Sequence, residues 1–197
     1  MSNDALPVGT ILITGISASG KTTLGKRLEK DLINSGIRNV KRIDGEDVRR
    51  QLEKQGICYG YSEAERKILG PKVAHMALEE NKKGFVCILC GIYHIRSTRQ
   101  EMRTMINNLM EVYLNCSVDI CAQRDSKGHY AKAFQGLCEN FIGVTEPYQK
   151  SENVNLVLDT GKNSIDECSR ILLESTMVFL KGRAVKAETG SRAEVEG

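Results

Sequence analysis

Two short stretches carry residue types whose spacing could do chemistry. "GISASGKTT", Gly15 to Thr23, matches G-x-x-x-x-G-K-[ST] in full. Such a loop between a strand and a helix holds phosphate. Its glycines let backbone N–H groups curl around the oxygens, and the positive end of the next helix faces the same anion. Gly15, Ser17, Ser19, Gly20, Lys21, Thr22 and Thr23 are therefore the expected nucleotide-binding residues. Lys21 is expected to reach the β- and γ-phosphates, and the Thr22 hydroxyl to ligate Mg²⁺. No N-K-x-D motif is present, which argues against a guanine nucleotide. The second stretch is "RIDGEDVRRQL", Arg42 to Leu52. An acid pair, Asp44 and Glu46, beside Mg²⁺ and an arginine, Arg49, facing an anion would supply what phosphoryl transfer requires, positioning and charge neutralisation. Asp44 is also the expected second residue on the metal. Asp47 reads as a helix N-terminal acid complementing the dipole, and Arg50 as solvent-exposed.

These residues need elements that hold them. "TILIT" (Thr10 to Thr14) is mostly β-branched with an apolar centre and no charge, and ends at the glycine loop, as a buried parallel strand does. Leu24, Leu28 and Leu32 give the following segment, Lys21 to Ile33, a helical period. Strands are expected at Val40 to Asp44, Phe85 to Cys90, Met110 to Asn115 and Asn155 to Thr160. Helices are expected at Asp47 to Lys54, Ser62 to about Asn81, Thr98 to Asn108, Ser117 to Arg124 and Ser164 to Leu180. "SEAE" at Ser62 resembles a capping box, and Gly70-Pro71 is a candidate break in that helix. Five apolar strands alternating with helices predict an α/β fold, a five-stranded parallel sheet covered on both faces, of the P-loop NTPase type. Asp44 then stands at the carboxyl end of the second strand, where ligands of such sheets bind.

From about residue 125 to 152 the periodicity fails around one short helix, and a lid is the expected role. The tail, residues 181 to 197, has no apolar periodicity and is expected to be disordered, leaving a single domain over residues 1 to 180. Hydrophobic residues are 41%, charged residues 27% and net charge +3, too mild a balance to imply a nucleic-acid or membrane surface. With no secretory signal pattern at the N-terminus, a cytoplasmic location is expected. Seven cysteines follow no framework spacing, and Cys87 and Cys90 lie in an apolar run that reads as strand, so packed thiols are expected rather than a zinc or redox pair. His75, His94 and His129 have no partner spacing, and none is expected to be a base or a ligand.

The P-loop, "IDGEDVRRQL", "YSEAERK" (Tyr61 to Lys67) and "QRDSKGHYAKAFQGLCENFIGVTEPY" (Gln123 to Tyr148), in this order, closely resemble the adenylylsulfate kinase family over roughly residues 8 to 178. The resemblance implies transfer of the γ-phosphate of ATP to the 3′-hydroxyl of adenosine 5′-phosphosulfate, with Mg²⁺. It implies that Asp44 and Glu46 hold metal-bound water or orient the acceptor hydroxyl, and that Arg49 and Arg66 grip the acceptor. It places Arg124 along the donor adenine, Lys127 between donor and acceptor, Ile92 on the acceptor side and Phe141 stacked on a base. A nucleotide-type small molecule is the implied partner, and a homodimer is common among related kinases. Departures fall on the acceptor side. Glu46 replaces the second aspartate of D-G-D, Leu69 an asparagine, "IYHIR" (Ile92 to Arg96) the I-S-P-Y-R stretch, and Glu139 a lid lysine. Another nucleotide-linked acceptor, such as cytidine diphosphoramidate, is the alternative substrate. A nucleotide-binding sensor without turnover is the alternative class.

Overall fold

The computed structural model describes residues 8–192. Five strands form one parallel sheet: β1 (Thr10–Thr14), β2 (Val40–Asp44), β3 (Val86–Gly91), β4 (Leu109–Asn115) and β5 (Leu156–Asp159), in the order β2-β3-β1-β4-β5. Alternate strand residues face opposite sides. Ile11 and Ile13 pack with Leu24, Leu28 and Leu32 of α1 (Lys21–Asn34) and Leu172 of α7 (Ile165–Arg192). Leu12 packs on the other face with Val48 of α2 (Gly45–Lys54), Val73 and Ala77 of α3 (Glu63–Lys82), and Met102 of α4 (Arg96–Met105). The expected three layers follow from this apolar sheet, which must bury both faces. No described helix is long and apolar enough to cross a membrane.

The same two-residue period decides the C-x-x-C. Three residues apart in β3, Cys87 and Cys90 point to opposite faces and belong to different core clusters. The Cys87 Sγ donates to the Ala77 carbonyl at 3.4 Å and the Cys90 Sγ to that of Lys21 at 3.6 Å. Burial raises both thiols to about 12, so they are packed and protonated.

Several boundaries shift by one to three residues, α4 most, spanning Arg96–Met105 rather than Thr98 to Asn108, and three departures have a direct physical cause. The second helix begins at Gly45, not Asp47, because the Asp44 side chain caps it by accepting from the Glu46 N–H at 3.0 Å. The third runs unbroken through Gly70-Pro71. Its capping box forms, with Ser62 accepting from the Glu65 N–H and Glu65 returning to the Ser62 N–H. A proline inside a helix costs about 3 kcal/mol, and the buried face of Leu69, Val73, Ala74 and Ala77 offsets it. Gly70 is needed for this packing: a Cβ there would lie 2.3 Å from Thr98 Cγ2 of α4. The last helix continues beyond Leu180 to Arg192, into the segment expected to be disordered. Ala, Lys, Glu and Arg extend a nucleated helix without an apolar stripe, since propagation is far cheaper than nucleation. Residues 193–197 of that segment lie outside the described residues.

The lid region holds α5 (Val118–Arg124), which leads into it, and α6 (His129–Phe134), the one short helix expected. Its far end is tied down by a buried charge pair. Arg99, 1% exposed, donates through Nε to Glu111 Oε1 at 3.0 Å. Its Nη1 donates to the Tyr93 carbonyl, and its Nη2 to the Gln149 carbonyl and, at 2.9 Å, to Ser151 Oγ. Glu111 also accepts from Ser151 Oγ at 2.6 Å and from Arg103 Nη2 at 3.2 Å. Removing one partner strands the other charge in the core. We expect Arg99→Met or Glu111→Leu each to cost about 3–5 kcal/mol in urea unfolding, and the double variant to cost much less than their sum. Additive losses would show that the two charges are not a unit.

Candidate active site

The phosphate loop is held from beneath and from both sides. Gly15 sits so close to β4 that a Cβ would meet the Leu114 carbonyl at 2.9 Å and Ser19 Oγ at 2.8 Å. Gly20, the N-cap of α1, has φ 101°, a conformation open to glycine at little cost. The Ser17 carbonyl accepts from the Tyr130 hydroxyl of α6 at 2.9 Å, and the Ser19 carbonyl from Thr160 Oγ1 at 2.9 Å. These bonds leave the N–H groups at the start of α1 for a ligand, as an anion site requires. Ser19 Oγ is buried with no protein partner.

Lys21 bends back to donate to the Ile16 carbonyl at 2.6 Å. Burial lowers its pKa from 10.5 to about 8. Beside it, Thr22 Oγ1 donates to Asp44 Oδ2 at 2.8 Å, joining the first turn of α1 to the end of β2. Asp44 Oδ1 is held by the Glu46 N–H, so the carboxylate is fixed at both oxygens. A hydroxyl and a carboxylate are hard oxygen donors of the kind Mg²⁺ takes, with waters and substrate phosphate completing its shell. Among the described residues no group of three or more His, Cys, Asp or Glu forms a metal cage, so a metal here would rely on that shared arrangement.

Two clefts meet at this point. One, of about 490 Å³, runs from the P-loop to the start of α7, between Thr23 and Arg124 on one side and Thr160, Asn163 and Ser164 on the other. The second, of about 560 Å³, lies between the P-loop, α2, the start of α3, the β3–α4 connection and the lid. Both are lined by Ala18, Lys21, Thr22 and Arg124. Arg124 Nη2 donates to the Thr160 carbonyl at 2.9 Å, which fixes it at the end of α5 between them.

The second cleft gathers Ser17, Asp44, Glu46, Arg49, Arg66, Ile92, Lys127 and Phe141, residues scattered over 125 positions of sequence. Ser19, Gly20 and Thr23 line the first cleft, while Gly15 lines neither and acts on the loop's shape. Arg49 is buried, and its Nη1 donates to the carbonyls of Tyr59 and Gly60, at 2.6 Å for the latter. Its guanidinium lies 4.4 Å from the centre of the Tyr61 ring, and that of Arg66 lies 5.3 Å from the same ring. Arg66 donates through Nε to the Tyr61 carbonyl at 2.8 Å and through Nη2 to the Asn140 carbonyl at 3.0 Å, joining α3 to the lid. Burial, and then the charge of Arg49, lower the Arg66 pKa. An anion placed by the pair would relieve that repulsion. Lys127 is exposed in the lid turn, which Asp125 shapes by accepting from the N–H groups of Lys127 and Tyr130. Phe141 packs edge-on to Tyr130 with centroids 4.8 Å apart. Glu46 is exposed on the first turn of α2, while Asp47 and Arg50 pair on the surface, as expected.

Several lining residues were not expected. Tyr93, His94 and Thr98 enter the second cleft from the β3–α4 connection, with Leu69 opposite on α3. His94, which has no partner spacing and is expected to be neither base nor ligand, is 5% exposed in the cleft wall. The one available signal was its place within "IYHIR", where the acceptor-side resemblance breaks. At the sheet edge, Thr14 Oγ1 joins the Ile92 carbonyl to the Tyr148 hydroxyl, which lies 2.8 Å away.

The adenylylsulphate kinase family model matches residues 8–159. The adenylyl-sulfate kinase of Synechococcus sp. (strain JA-3-3Ab) is 35% identical over 166 residues, covering 84% of this chain and 92% of the relative. The probable adenylyl-sulfate kinase of Bacillus subtilis (strain 168) is 33% identical over 164 residues, covering 82% and 81%. The solved APS kinase of Mycobacterium tuberculosis, in complex with AMPPNP and APS, superposes with a TM-score of 0.79 at 28% identity, covering 87% of this chain and 98% of that one. A gluconokinase from Sinorhizobium meliloti 1021, at 19% identity and a TM-score of 0.63, shares the fold alone. On the family match and these identities, the chain belongs to the adenylylsulphate kinase family and is a kinase that transfers phosphate to a hydroxyl group.

Proposed function

We propose that the protein transfers the γ-phosphate of ATP to the 3′-hydroxyl of adenosine 5′-phosphosulfate. The observation that carries this reading is the meeting of two clefts at Lys21 and Thr22. A donor in the first cleft and an acceptor in the second bring their reacting groups to that shared rim. Phosphoryl transfer then depends mainly on alignment and charge neutralisation. The acceptor hydroxyl oxygen attacks the γ-phosphorus, the bond to the bridging oxygen breaks, ADP leaves, and the hydroxyl's proton passes to solvent water.

Each residue has a share in this. The P-loop N–H groups and Lys21 neutralise the β- and γ-phosphates. Thr22 and Asp44 are the residues that would hold Mg²⁺, which when bound supplies further positive charge at the transferred group. Glu46 orients the acceptor hydroxyl from the first turn of α2. Arg49 and Arg66 hold the phosphosulfate, and a planar guanidinium suits its paired oxygens. Lys127 and Arg124 carry positive charge to the rim, and Phe141 offers a face for a base. The names of the M. tuberculosis and Synechococcus relatives support the choice of acceptor.

The test is a coupled assay for ADP release with ATP–Mg²⁺ and adenylylsulfate, with the product identified by mass. Turnover giving a 3′-phosphorylated product is expected; ATP binding without turnover would leave a sensor. Lys21→Ala should lower kcat by at least about 10²-fold, the scale of losing one charge-stabilising group at a transition state. An unchanged kcat would remove Lys21 from the chemistry.

Lys21 also sets a pH dependence. Below pH 8 it is charged and meets the phosphates directly. Above about 8 it is neutral in the free protein, and binding must take up a proton. The affinity for a non-hydrolysable ATP analogue should therefore fall as pH rises past 8, by up to about tenfold per unit. In Lys21→Met the affinity should be weaker and free of this break. Calorimetric titration from pH 6.5 to 9.5 reads both.

A further inference from the structure

The donor side of the site is well bonded, while the acceptor side contains polar atoms that nothing in the protein satisfies. Two belong to side chains more than nine-tenths buried in the wall of the acceptor cleft. His94 is 5% exposed and its Nδ1 has no partner; Thr98 is 3% exposed and its Oγ1 has none. They stand four residues apart, His94 just before α4 and Thr98 in its first turn. A buried polar atom without a bond costs about 1–3 kcal/mol, and native proteins carry few of them.

The backbone leading to this pair is itself unusual. Tyr93 has φ 37°, rare for a bulky residue. Its ring occupies space that a Cβ on Gly91 would enter at 2.3 Å and one on Gly45 would approach within 3.2 Å of the hydroxyl. The Arg99 guanidinium holds the Tyr93 carbonyl. The strained turn is thus over-determined by its surroundings, and it delivers His94 to the cleft wall. Burial, and then the charge of Arg66, lower the His94 pKa to about 4, so the ring is neutral there. A neutral imidazole has one donor and one acceptor nitrogen, and a hydroxyl can do both. The same cleft is also lined by apolar side chains, Leu69 from α3, Ile95, and Phe141 from the lid, beside its charged ones. Apolar surface together with an adaptable polar edge is an environment that an aromatic nucleobase can take.

We propose that His94 and Thr98 hydrogen-bond the base of the acceptor nucleotide and are the residues that set which acceptor this enzyme accepts. This rests on the acceptor being a nucleotide, as in the function proposed above. The pair acts on binding, not on the transferred phosphate. Removing either atom should weaken the acceptor without touching the donor, and should not destabilise the fold, since no protein bond is lost.

The test uses His94→Phe, which keeps a ring, and Thr98→Val, which keeps the shape. For each, KM for adenylylsulfate should rise at least about fivefold, with KM for ATP within about twofold and the unfolding midpoint unchanged or higher. An unchanged acceptor KM in both variants overturns the proposal, and leaves the pair holding only buried water. So does a drop in stability without a change in acceptor KM. If the wild-type protein does not turn over adenylylsulfate, the proposed acceptor is wrong, and the pair is judged by binding alone. AMP, CMP, GMP and UMP are then titrated calorimetrically into the wild-type protein loaded with ADP–Mg²⁺. A base preference that both variants flatten supports the proposal; affinities that ignore the base, or ignore the substitutions, overturn it.

Discussion

A single hydrogen bond, Thr22 Oγ1 to Asp44 Oδ2 at 2.8 Å, marks the constraint on which the site depends. It joins the helix that receives phosphate to the end of a strand that is not a neighbour of β1, since β3 lies between them. The junction therefore exists only when β2, β3 and β1 are correctly ordered and in register. Asp44 serves the fold and the site together: one oxygen caps α2 and the other meets Thr22. The close packing around it explains the glycines nearby. Gly25 lets α1 approach β3, where a Cβ would lie 2.4 Å from the Cys90 sulfur, and Gly45 leaves room for the Tyr93 hydroxyl.

The two halves of the site differ in how their polar groups are satisfied. The P-loop is braced by Tyr130, Thr160 and the Ile16 carbonyl, so its shape is set before any ligand arrives. That preorganisation lowers the cost of binding a highly charged donor. The second cleft instead places two arginines on one tyrosine ring and leaves the Tyr93 hydroxyl, His94 Nδ1 and Thr98 Oγ1 unbonded. Repelling cations and unmet hydrogen bonds are costs that a complementary ligand removes. Selectivity is strongest when such groups are matched by one ligand and left unpaired by another.

The segment from about residue 125 to 152 is anchored at two points by arginines, one in its middle and one at its far end. Arg66 reaches the Asn140 carbonyl from α3, and Arg99 holds Gln149 and Ser151 from α4. Both also touch the wall of the second cleft, Arg66 through the Tyr61 carbonyl and Arg99 through that of Tyr93. The position of that segment and the shape of the second cleft are therefore mechanically connected. Arg99 can be buried because Glu111 and three oxygen acceptors satisfy it; without them a charge at that depth would not persist.

The sequence by itself determined the local features. The glycine loop with Lys21 and Thr22, the apolar runs of β1 and β3, the leucine period of α1 and the Ser62 capping box all rest on nearest-neighbour physics, and the structure holds them where they were expected. The parallel sheet followed because its central strands β1 and β3 are buried on both faces. Tertiary structure decided what depends on distant partners. It kept α3 continuous through Pro71 by packing Gly70 against Thr98, and set Cys87 and Cys90 back to back. It drew Arg49 into bonds with the Tyr59 and Gly60 carbonyls as well as the cleft. It also turned His94, a residue with no legible spacing, into part of the wall of the second cleft. A loop motif is written in consecutive residues because its ligand is bound by consecutive backbone groups. The second cleft is assembled from α2, α3, the β3–α4 turn and the segment after α5, and only the fold brings those side chains within reach of one molecule.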